Sequence, residues 1–389
     1  MIDDVVLALL LALLVWGNGG YLLALRLLQV VLPGVRRDPS PLPEQGEPTV
    51  TVVVFAYDEE DTIEAKLDDV FALDYPADKL SVLVASDGST DRTNEIVGAY
   101  PSQRVSLLAF PVRRGKALVT NDVFAVAAGE WLLTTDADTR MSPDFLRAIL
   151  PHLRQPDVGV VDGRMICVNL EVSSIATDVG LHWRLESALK TAESKFGLLA
   201  STFGPCTAVR RSIFRRLRST EDIDFITPLD ALAAGYRVVH EPTATVTEFA
   251  HDGVAEQFRA RVRMVTKNFP GTLRKLGPLR RRPLVIFGVV SHKVLRWLTP
   301  SLLLALLVFS VTEHGALGRT VLVGEAALYA GGLIGAIAWR FGRNVPAAST
   351  AFSFLVANAG FLVGTFRALR GTKVAVWEPH HAGSLAEGE

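Results

Sequence analysis

Long apolar segments stand at both ends of the chain, with a mixed region between them. The first runs from about Val5 to Val31 and is interrupted by Asn18 and Arg26. It is long enough to cross a bilayer. Acidic residues precede it and basic residues follow it, whereas a cleaved signal peptide begins with basic residues and has a shorter apolar core. The pattern predicts an uncleaved anchor, 1–33, with its N-terminus outside and the next domain in the cytoplasm.

Three further apolar segments lie in the C-terminal part, at about Leu284–Val311, Thr320–Ala338 and Val345–Phe366. Basic residues interrupt the start of the first, which predicts an interfacial amphipathic helix over 280–296. Transmembrane segments over 297–370 and a polar tail over 371–389 follow. Three full spans would place the basic residues after the last one outside the cell, against the positive-inside rule. This conflict favours one re-entrant or interfacial segment, which would return the tail to the cytoplasm.

The central region alternates strand-like and helix-like segments. A proline-rich linker, 34–48, leads into a mixed globular region, 49–279. Continuous β-branched runs there are typical of strands buried on both faces of a parallel sheet. Helical stretches separate these runs, so the pattern predicts an open α/β sheet of the Rossmann-like kind, with ligands beyond the carboxyl ends of its strands. The predicted strands are Thr49–Phe55, Ser81–Ala85, Val105–Phe110 and Glu130–Thr135.

Carboxylates follow two of these strands. Asp87 comes after the second, and Asp136 and Asp138 come at the end of the fourth. Residues i and i+2 of a strand point to the same side, so the last pair offers a hard-oxygen site for Mg²⁺ or Mn²⁺ that substrate phosphates would complete. A further acidic cluster contains Asp222 and Asp224. Each acidic loop taken alone is also typical of a turn or a helix cap.

Composition excludes several classes of function. The chain has 40 basic and 41 acidic side chains, so no bulk charge favours nucleic acid, and we expect no nucleic-acid partner. Neither a GxxxxGK[ST] motif nor a GxGxxG after the first strand occurs, which disfavours phosphate-loop hydrolases and dinucleotide oxidoreductases. The cysteines, Cys167 and Cys206, allow at most one disulfide, which fits a reducing compartment.

Four short motifs occur in order along the predicted sheet, namely Phe55-Ala56-Tyr57-Asp58-Glu59-Glu60, Ser86-Asp87-Gly88-Ser89-Thr90-Asp91, Arg114-Gly115-Lys116-Ala117 and Asp136-Ala137-Asp138. In combination they resemble a membrane-bound family-2 glycosyltransferase with a GT-A fold. The resemblance covers about 49–279, and its second half is similar to cellulose, hyaluronan and poly-N-acetylglucosamine synthases. One departure is Asp58, which stands where the family usually has asparagine.

The resemblance implies roles for particular residues. It places a divalent cation, Mg²⁺ or Mn²⁺, at Asp138 and Asp136. It implies that the nucleotide-sugar donor is bound by Ala56, Tyr57, Asp58, Glu59, Asp87, Gly88, Lys116 and Asp136.

The general base is expected in the acidic cluster after residue 220. Thr220-Glu221-Asp222 reads like the Thr-Glu-Asp of processive synthases, which would make Asp222 the base. In the family the base usually lies eleven residues before the glycine that opens the next strand, and Asp224 has that spacing to Gly235. We therefore favour Asp224 and keep Asp222 as the alternative.

A basic segment, 256–264, stands where processive synthases have Gln-X-X-Arg-Trp, but it lacks the tryptophan and the spacing differs. Its Arg261 and Arg263 suit the donor diphosphate, because guanidinium groups match phosphate geometry. The alternative is a basic helix that lies against anionic lipid headgroups. Processive synthesis therefore stays open.

Taken together, the resemblance implies inverting, metal-dependent transfer of a sugar from a nucleotide-diphosphate donor. A UDP-sugar is the donor that it favours. The acceptor would be a growing polysaccharide or a lipid-linked molecule at the cytoplasmic face of the plasma (inner) membrane, with membrane lipids around it. One alternative is addition of a single sugar to a polyprenyl phosphate or lipid. Another, of a different class, is a catalytically inactive membrane scaffold or transporter subunit.

Overall fold

A computed structural model describes residues 2–32, 46–168, 174–249, 253–313 and 315–374. Most of the predicted linker, 34–48, and the end of the predicted polar tail lie outside the described residues.

An eight-stranded mixed sheet forms the centre of the globular region, in the spatial order β3-β2-β1-β4-β7-β6-β8-β5. β1 to β4 pair in parallel, whereas β7 is antiparallel to both β4 and β6. The predicted open α/β sheet is confirmed, and the antiparallel strand β7 joins its two halves. The strands are β1 Val50–Ala56, β2 Leu80–Asp87, β3 Val105–Phe110, β4 Trp131–Asp136, β5 Arg140–Met141, β6 Val158–Val168, β7 Thr207–Arg210 and β8 Arg237–Phe249.

Helices cover both faces of the sheet and continue beyond it. A kinked π-helical turn, Trp16–Gly20, in which Gly19 departs from helical φ and ψ, joins the first two helices, and a second π-helical turn, Val290–Val294, joins the tenth and eleventh. The described helices are α1 Ile2–Val15, α2 Tyr21–Val31, α3 Ile63–Phe71, α4 Thr93–Ala99, α5 Lys116–Val126, α6 Phe145–Leu153, α7 Ser174–Phe196, α8 Ile223–Ala233, α9 Val254–Leu276, α10 Pro283–Val289, α11 Leu295–Thr312, α12 Ala316–Arg340 and α13 Pro346–Leu369.

The central strand β1 is buried along its whole length, and its side chains serve two separate cores. Val50, Val52 and Val54 belong to one apolar cluster, and Val53 and Phe55 belong to the other. Alternate residues of a strand point to opposite faces, so a strand with helices on both sides is apolar at nearly every position. The exception in β1, Thr51, forms hydrogen bonds with Ser81 and with the backbone N–H of Gly129. The unbroken β-branched run is therefore explained by burial on both faces of the sheet.

Four described helical stretches are long and apolar enough to cross a membrane, namely Asp4–Val31, Pro283–Thr312, Ala316–Arg340 and Pro346–Leu369. The segment predicted as an interfacial helix, 280–296, contains the start of the second stretch. Its placement at the membrane surface stays a prediction.

α13, the last of these stretches, lies beside the basic helix α9. A Cβ on Gly360 would come within 2.7 Å of the Cβ of Arg261, and one on Gly364 within 2.8 Å of the Cβ of Val265. The Thr266 hydroxyl also donates to the backbone oxygen of Gly364, at 3.3 Å. Positions that increase along α13 therefore meet positions that increase along α9, so the two helices run side by side in the same direction.

A buried ionic network attaches α7 to the sheet. The carboxylate of Asp162, on β6, accepts hydrogen bonds from Lys190 Nζ at 3.1 Å and from the backbone N–H of Phe203 at 2.7 Å, and it contacts His240 Nδ1 at 3.0 Å. The side chains of Asp162 and Lys190 are 0% and 1% exposed. Removing one partner of such a pair leaves a charge buried without compensation.

We expect Asp162→Ala to lower the free energy of unfolding by about 3–5 kcal/mol, because Lys190 would keep its charge in an apolar setting. The measurement is the thermal unfolding midpoint of the purified protein in detergent. The matched control is Glu130→Ala, which removes a 49% exposed partner of Arg210. That loss is expected to cost at most about 1 kcal/mol. Equal midpoints for the two variants would contradict the prediction.

Candidate active site

Three parallel strands end together at one edge of the sheet. Phe55 of β1 stands opposite Asp136 of β4, and Ala56 stands opposite Ser86 of β2. The loops that follow these strands therefore meet, as expected for an open α/β sheet. A small cleft forms there, lined by Ala56, Tyr57, Asp87, Lys116 and Asp136 among others.

Asp87 fixes the shape of this cleft. One carboxylate oxygen accepts from the backbone N–H of Arg114 at 2.7 Å, and the other accepts from the backbone N–H of Gly115 at 2.8 Å. Its neighbour Gly88 has φ +80°, and a Cβ there would come 2.7 Å from the backbone nitrogen of Arg113. Glycine is thus required at this close approach. The loop after β2 is held against the start of α5.

Asp58 and Glu59 are not among the residues that line this cleft. Asp58 has φ +52°, and its carboxylate accepts from the backbone N–H of Thr90 at 2.7 Å. The backbone N–H of Glu59 donates to Thr93 Oγ1 at 2.8 Å, and its carboxylate accepts from Thr62 Oγ1 at 2.6 Å. These contacts join the loop after β1 to the loop after β2. The donor-binding role predicted for both residues stays a prediction.

Lys116 connects the small cleft to a larger cavity of about 310 Å³, since it lines both, as does Asp136. Its Nζ donates to Asp136 Oδ1 at 2.5 Å. The larger cavity brings together six residues singled out from the sequence, namely Lys116, Asp136, Asp222, Asp224, Arg261 and Arg263. It lies beside the edge where the strands end, under α8 and α9.

The two candidate bases have different surroundings. The carboxylate of Asp222 pairs with Lys267 Nζ and accepts from Asn268 Nδ2 at 3.1 Å. Asp224 lies in the first turn of α8 and lines the same cavity. Burial, followed by the nearby charge of Asp222, raises the pKa of Asp224 to about 7. Asp222 is held in contacts with Lys267 and Asn268, whereas Asp224 has the proton affinity that suits a base near neutral pH.

Acidic side chains crowd the end of β4. Burial and then Asp136 raise the pKa of Asp138, and burial followed by Asp138 and Asp136 raises the pKa of Glu248 to about 8. Burial is also the largest cause that raises the pKa of Glu59 to about 7, with Asp138 and Asp136 adding to it. A divalent cation would relieve this repulsion, and the oxygen donors suit Mg²⁺ or Mn²⁺.

Within the described part of the chain, no three His, Cys, Asp or Glu side chains converge on one metal position. A cation at Asp136 and Asp138 would therefore need further oxygens, and diphosphate oxygens are of the right kind. The residues present thus fit a cation that is bound jointly by the protein and a phosphate ligand.

Glu248 is a site residue that sequence reasoning missed. It lies in β8 and lines the larger cavity. A single acidic residue in a β-branched run does not indicate a site in the sequence, because the face to which its side chain points depends on how β8 pairs with β6 and β5. Only the long-range register brings it towards Asp138.

The two arginines of α9 are placed differently. Arg263 lines the larger cavity only, whereas Arg261 also lines a second cavity next to it. Burial and then Arg296 lower the pKa of Arg261 to about 10, so it keeps its charge at neutral pH. Both guanidinium groups therefore line the larger cavity, where an anionic ligand would meet them.

Comparison with known proteins agrees with this geometry. Residues 51–218 match the profile of the family described as Glycosyl transferase family 2. An N-acetylglucosaminyltransferase of Rhizobium meliloti is 27% identical over 300 residues, which is 72% of this chain and 69% of that protein. One of Azorhizobium caulinodans is 26% identical and covers 61% of this chain, which spans 63% of its length.

A solved structure shares the fold. It is a mannosyltransferase of Pyrobaculum calidifontis in complex with GDP-mannose and Mn²⁺. The superposition has a TM-score of 0.66 with 24% identity, and it covers 92% of this chain and 98% of that one. The similarity therefore includes the helices around the sheet as well as the sheet itself.

Proposed function

We propose that this family 2 glycosyltransferase, whose family domain spans residues 51–218, transfers a sugar from a UDP-sugar to an acceptor at the membrane, with inversion and with a divalent cation. The observation that carries the proposal is the shared cavity, in which Asp136, Asp224 and Arg263 lie around one space at the edge of the sheet. Metal-side carboxylates, a base and a phosphate-binding cation are the groups that this reaction needs.

Each group has a task set by its chemistry. The cleft of Ala56, Tyr57 and Asp87 suits the nucleoside of the donor, next to the cavity. Asp224 takes the proton of the acceptor hydroxyl as that oxygen attacks the anomeric carbon. Arg263, with Arg261 as the second candidate, offsets the charge that develops on the leaving diphosphate. A cation held by Asp136 and Asp138 would add to this charge stabilisation.

Lys116 contributes through its contact with Asp136. Its ammonium group holds one oxygen of that carboxylate and lies between the cleft and the cavity. A bound diphosphate would pass this position on its way from the nucleoside to the sugar. Lys116 therefore suits a donor-binding role as a point charge on the phosphates.

We further propose that α13 lies at the cytoplasmic membrane surface and does not cross the bilayer. It packs along α9, whose charged residues exclude α9 as a span. The other three apolar stretches would then cross the membrane. With the N-terminus outside, this arrangement leaves the catalytic domain, the basic end of α12 and the tail in the cytoplasm. It satisfies the positive-inside rule, which three C-terminal spans would violate.

The proposal is tested by a donor screen on the full chain in detergent. UDP-N-acetylglucosamine, UDP-glucose and GDP-mannose are incubated with Mn²⁺ and a bacterial lipid extract, and released nucleotide is measured. We expect UDP release from one UDP-sugar that is lost when the cation is chelated. The Asp224→Asn variant is the matched negative control. No nucleotide release from any donor would contradict catalysis and favour the inactive scaffold, and product length separates a polymer from a single addition.

A further inference from the structure

A second cavity, of about 360 Å³, adjoins the 310 Å³ cavity that contains Asp224. We call the latter the catalytic cavity and the former the membrane-side cavity. The membrane-side cavity lies between the π-helical turn of the first span, α7, α9 and α13. Most of its lining is apolar and aromatic, including Trp16, Leu189, Phe352 and Phe354. The two cavities have five lining residues in common, namely His182, Glu186, Arg261, Arg296 and Phe361. They are therefore neighbouring chambers that meet at a charged boundary.

The two π-helical turns form one wall of this membrane-side cavity. Trp16 Nε1 donates to Ser291 Oγ at 2.9 Å, so the first turn is attached to the second. Asn18 Nδ2 donates to Thr299 Oγ1 at 3.1 Å. Irregular helices at membrane depth occur where they are buried in protein or line a cavity, and π-turns are frequent at functional sites. This wall is thus built and held by side-chain hydrogen bonds.

Positive charge exceeds negative charge at the boundary between the chambers. The carboxylate of Glu186 is shared by Arg296 at 2.7 Å and Lys293 at 2.6 Å, and it also contacts His292 at 2.9 Å. Among the described residues, no carboxylate lies within ion-pair distance of the Arg261 guanidinium. Lys293 and Arg296 lie in a helical stretch that is long and apolar enough to cross a membrane, where ionisable groups are costly and usually mark a functional site.

His182 lies at the same boundary and stays uncharged there. Burial, followed by Arg261, holds the pKa of His182 well below its usual range. The imidazole therefore stays neutral at the boundary and adds no charge of its own. An anion placed against Arg261 would complete the charge balance that the protein leaves open.

Asn358 gives a second, independent sign of a ligand. Its side chain lines the membrane-side cavity and is 5% exposed. Its Nδ2 donates to the backbone oxygen of Phe354 at 2.8 Å within α13, while its Oδ1 has no hydrogen-bond partner among the described residues. A buried amide oxygen without a partner costs about 1–3 kcal/mol, so a hydroxyl-bearing or hydrated ligand there would be favoured.

We propose that this cavity binds the acceptor, a saccharide joined through phosphate to a long-chain lipid, with its phosphate at Arg261, its chain in the membrane-side cavity and its sugar in the catalytic cavity. The proposal rests on the proposed function and names the acceptor class of that site. It also moves Arg261 from the donor diphosphate to the acceptor and leaves Arg263 on the donor side.

The lining favours a lipid chain over a growing polysaccharide. A sugar polymer would need hydroxyl-binding groups along its whole path, whereas apolar and aromatic side chains dominate this cavity. Two lining residues on α7, Leu181 and Leu185, are 50% and 52% exposed. They form an apolar rim at which a chain can enter from the bilayer.

The reaction at the boundary balances without any further reactant. A hydroxyl oxygen of the lipid-linked saccharide forms a bond to the anomeric carbon of the donor sugar. The bond from that carbon to the diphosphate oxygen breaks, and the nucleoside diphosphate leaves with the electron pair. The hydroxyl proton passes to Asp224. The lipid phosphate takes no part in the bond changes and serves only to position the acceptor.

Binding is tested without turnover, by native mass spectrometry of the full chain from nanodiscs. The probes share one isoprenoid tail: polyprenol, polyprenyl phosphate, and a polyprenyl diphosphate that carries one sugar. We expect both phosphate lipids to bind at least about tenfold more tightly than polyprenol, a difference of about 1.4 kcal/mol. Inorganic phosphate at the same concentration should not displace them. Equal binding of polyprenol, or displacement by inorganic phosphate, would overturn the proposal.

Variants of α9 separate the acceptor role from the donor role. Arg261→Gln should abolish the preference for phosphate lipids and raise the KM for the sugar-bearing lipid about tenfold, with the donor KM unchanged. Arg261→Lys keeps the charge and should retain most of the preference. Arg259→Gln is the matched control, because Arg259 is exposed on the same helix.

A higher donor KM with an unchanged acceptor KM in Arg261→Gln would assign Arg261 to the donor diphosphate instead. A preference for phosphate lipids that is present in the wild type and lost in Arg261→Gln, in a protein that shows no turnover with any donor, would support the lipid site and contradict the proposed function alone.

Discussion

Replacing Asp224 with asparagine is expected to lower the rate of sugar transfer by about 10²–10⁴-fold, the usual contribution of a general base. The amide keeps the shape of the side chain but cannot accept the proton of the attacking hydroxyl. Donor binding should stay near the wild-type level, because the cleft of Ala56, Tyr57 and Asp87, which we propose for the nucleoside, does not include Asp224. The measurements are single-turnover transfer and UDP affinity in the same purified protein.

The pH dependence of transfer by the wild-type protein is a second test of Asp224 as the general base. Burial and Asp222 raise the pKa of Asp224 to about 7 in the free protein. The base works in its ionised form, so kcat/KM should be highest above that pH and fall as the pH decreases through it.

Asp222→Asn provides the discriminating control. It removes a neighbouring negative charge and frees Lys267, and both changes favour ionised Asp224. The acidic limb of the kcat/KM profile should therefore move to lower pH, with turnover retained. If Asp222 were the base, this variant would lose transfer and Asp224→Asn would keep it, which is the result that would reverse the assignment.

The parallel half of the sheet was predictable because its signals are local. The strands β1, β2 and β4 are short, mostly apolar runs whose residues are nearly all buried whichever face they point to, and each ends at a polar loop. The edge strand β3 is only partly buried. Parallel strands place these ends at one edge, so Asp87 and Asp136 could be brought together from the sequence alone. The antiparallel strand β7 has only four residues and no comparable signal.

The site itself depends on contacts that are distant in sequence. Spacing favoured Asp224 over Asp222, but the physical difference between them is the Lys267 ammonium group, which comes 45 residues later. The position of Arg261 between two cavities follows from the packing of α13 on α9, where Gly360 allows close approach. Hydropathy alone shows that α13 is apolar and long, and it cannot show that its neighbour is a charged helix.

Replacing Asp138 with asparagine is expected to weaken Mn²⁺ binding in the presence of UDP by at least about tenfold, since loss of even an outer-shell partner typically costs 10–100-fold. Asp136 ends β4 and Asp138 follows it, and Glu248 lies close enough to be affected by both charges. The variant removes one of the oxygen donors that the diphosphate would complete. The measurement is calorimetric titration of Mn²⁺ into the purified protein with UDP bound, together with transfer assays at saturating cation.

Stability separates this metal role from a purely structural one. Burial and Asp136 raise the pKa of Asp138 in the folded protein, so its ionised form opposes folding, and this opposition is present once the pH exceeds the unfolded value. Asp138→Asn should therefore melt at or above the wild-type temperature near pH 7 without metal.

Mn²⁺ and UDP should raise the melting temperature of the wild type, as ligand linkage requires, but not that of the variant. Asp144→Asn, exposed in the turn between β5 and α6, should behave like the wild type. An unchanged Mn²⁺ affinity in Asp138→Asn would exclude Asp138 as a ligand, whereas a lower melting temperature without metal would indicate a structural role for its charge.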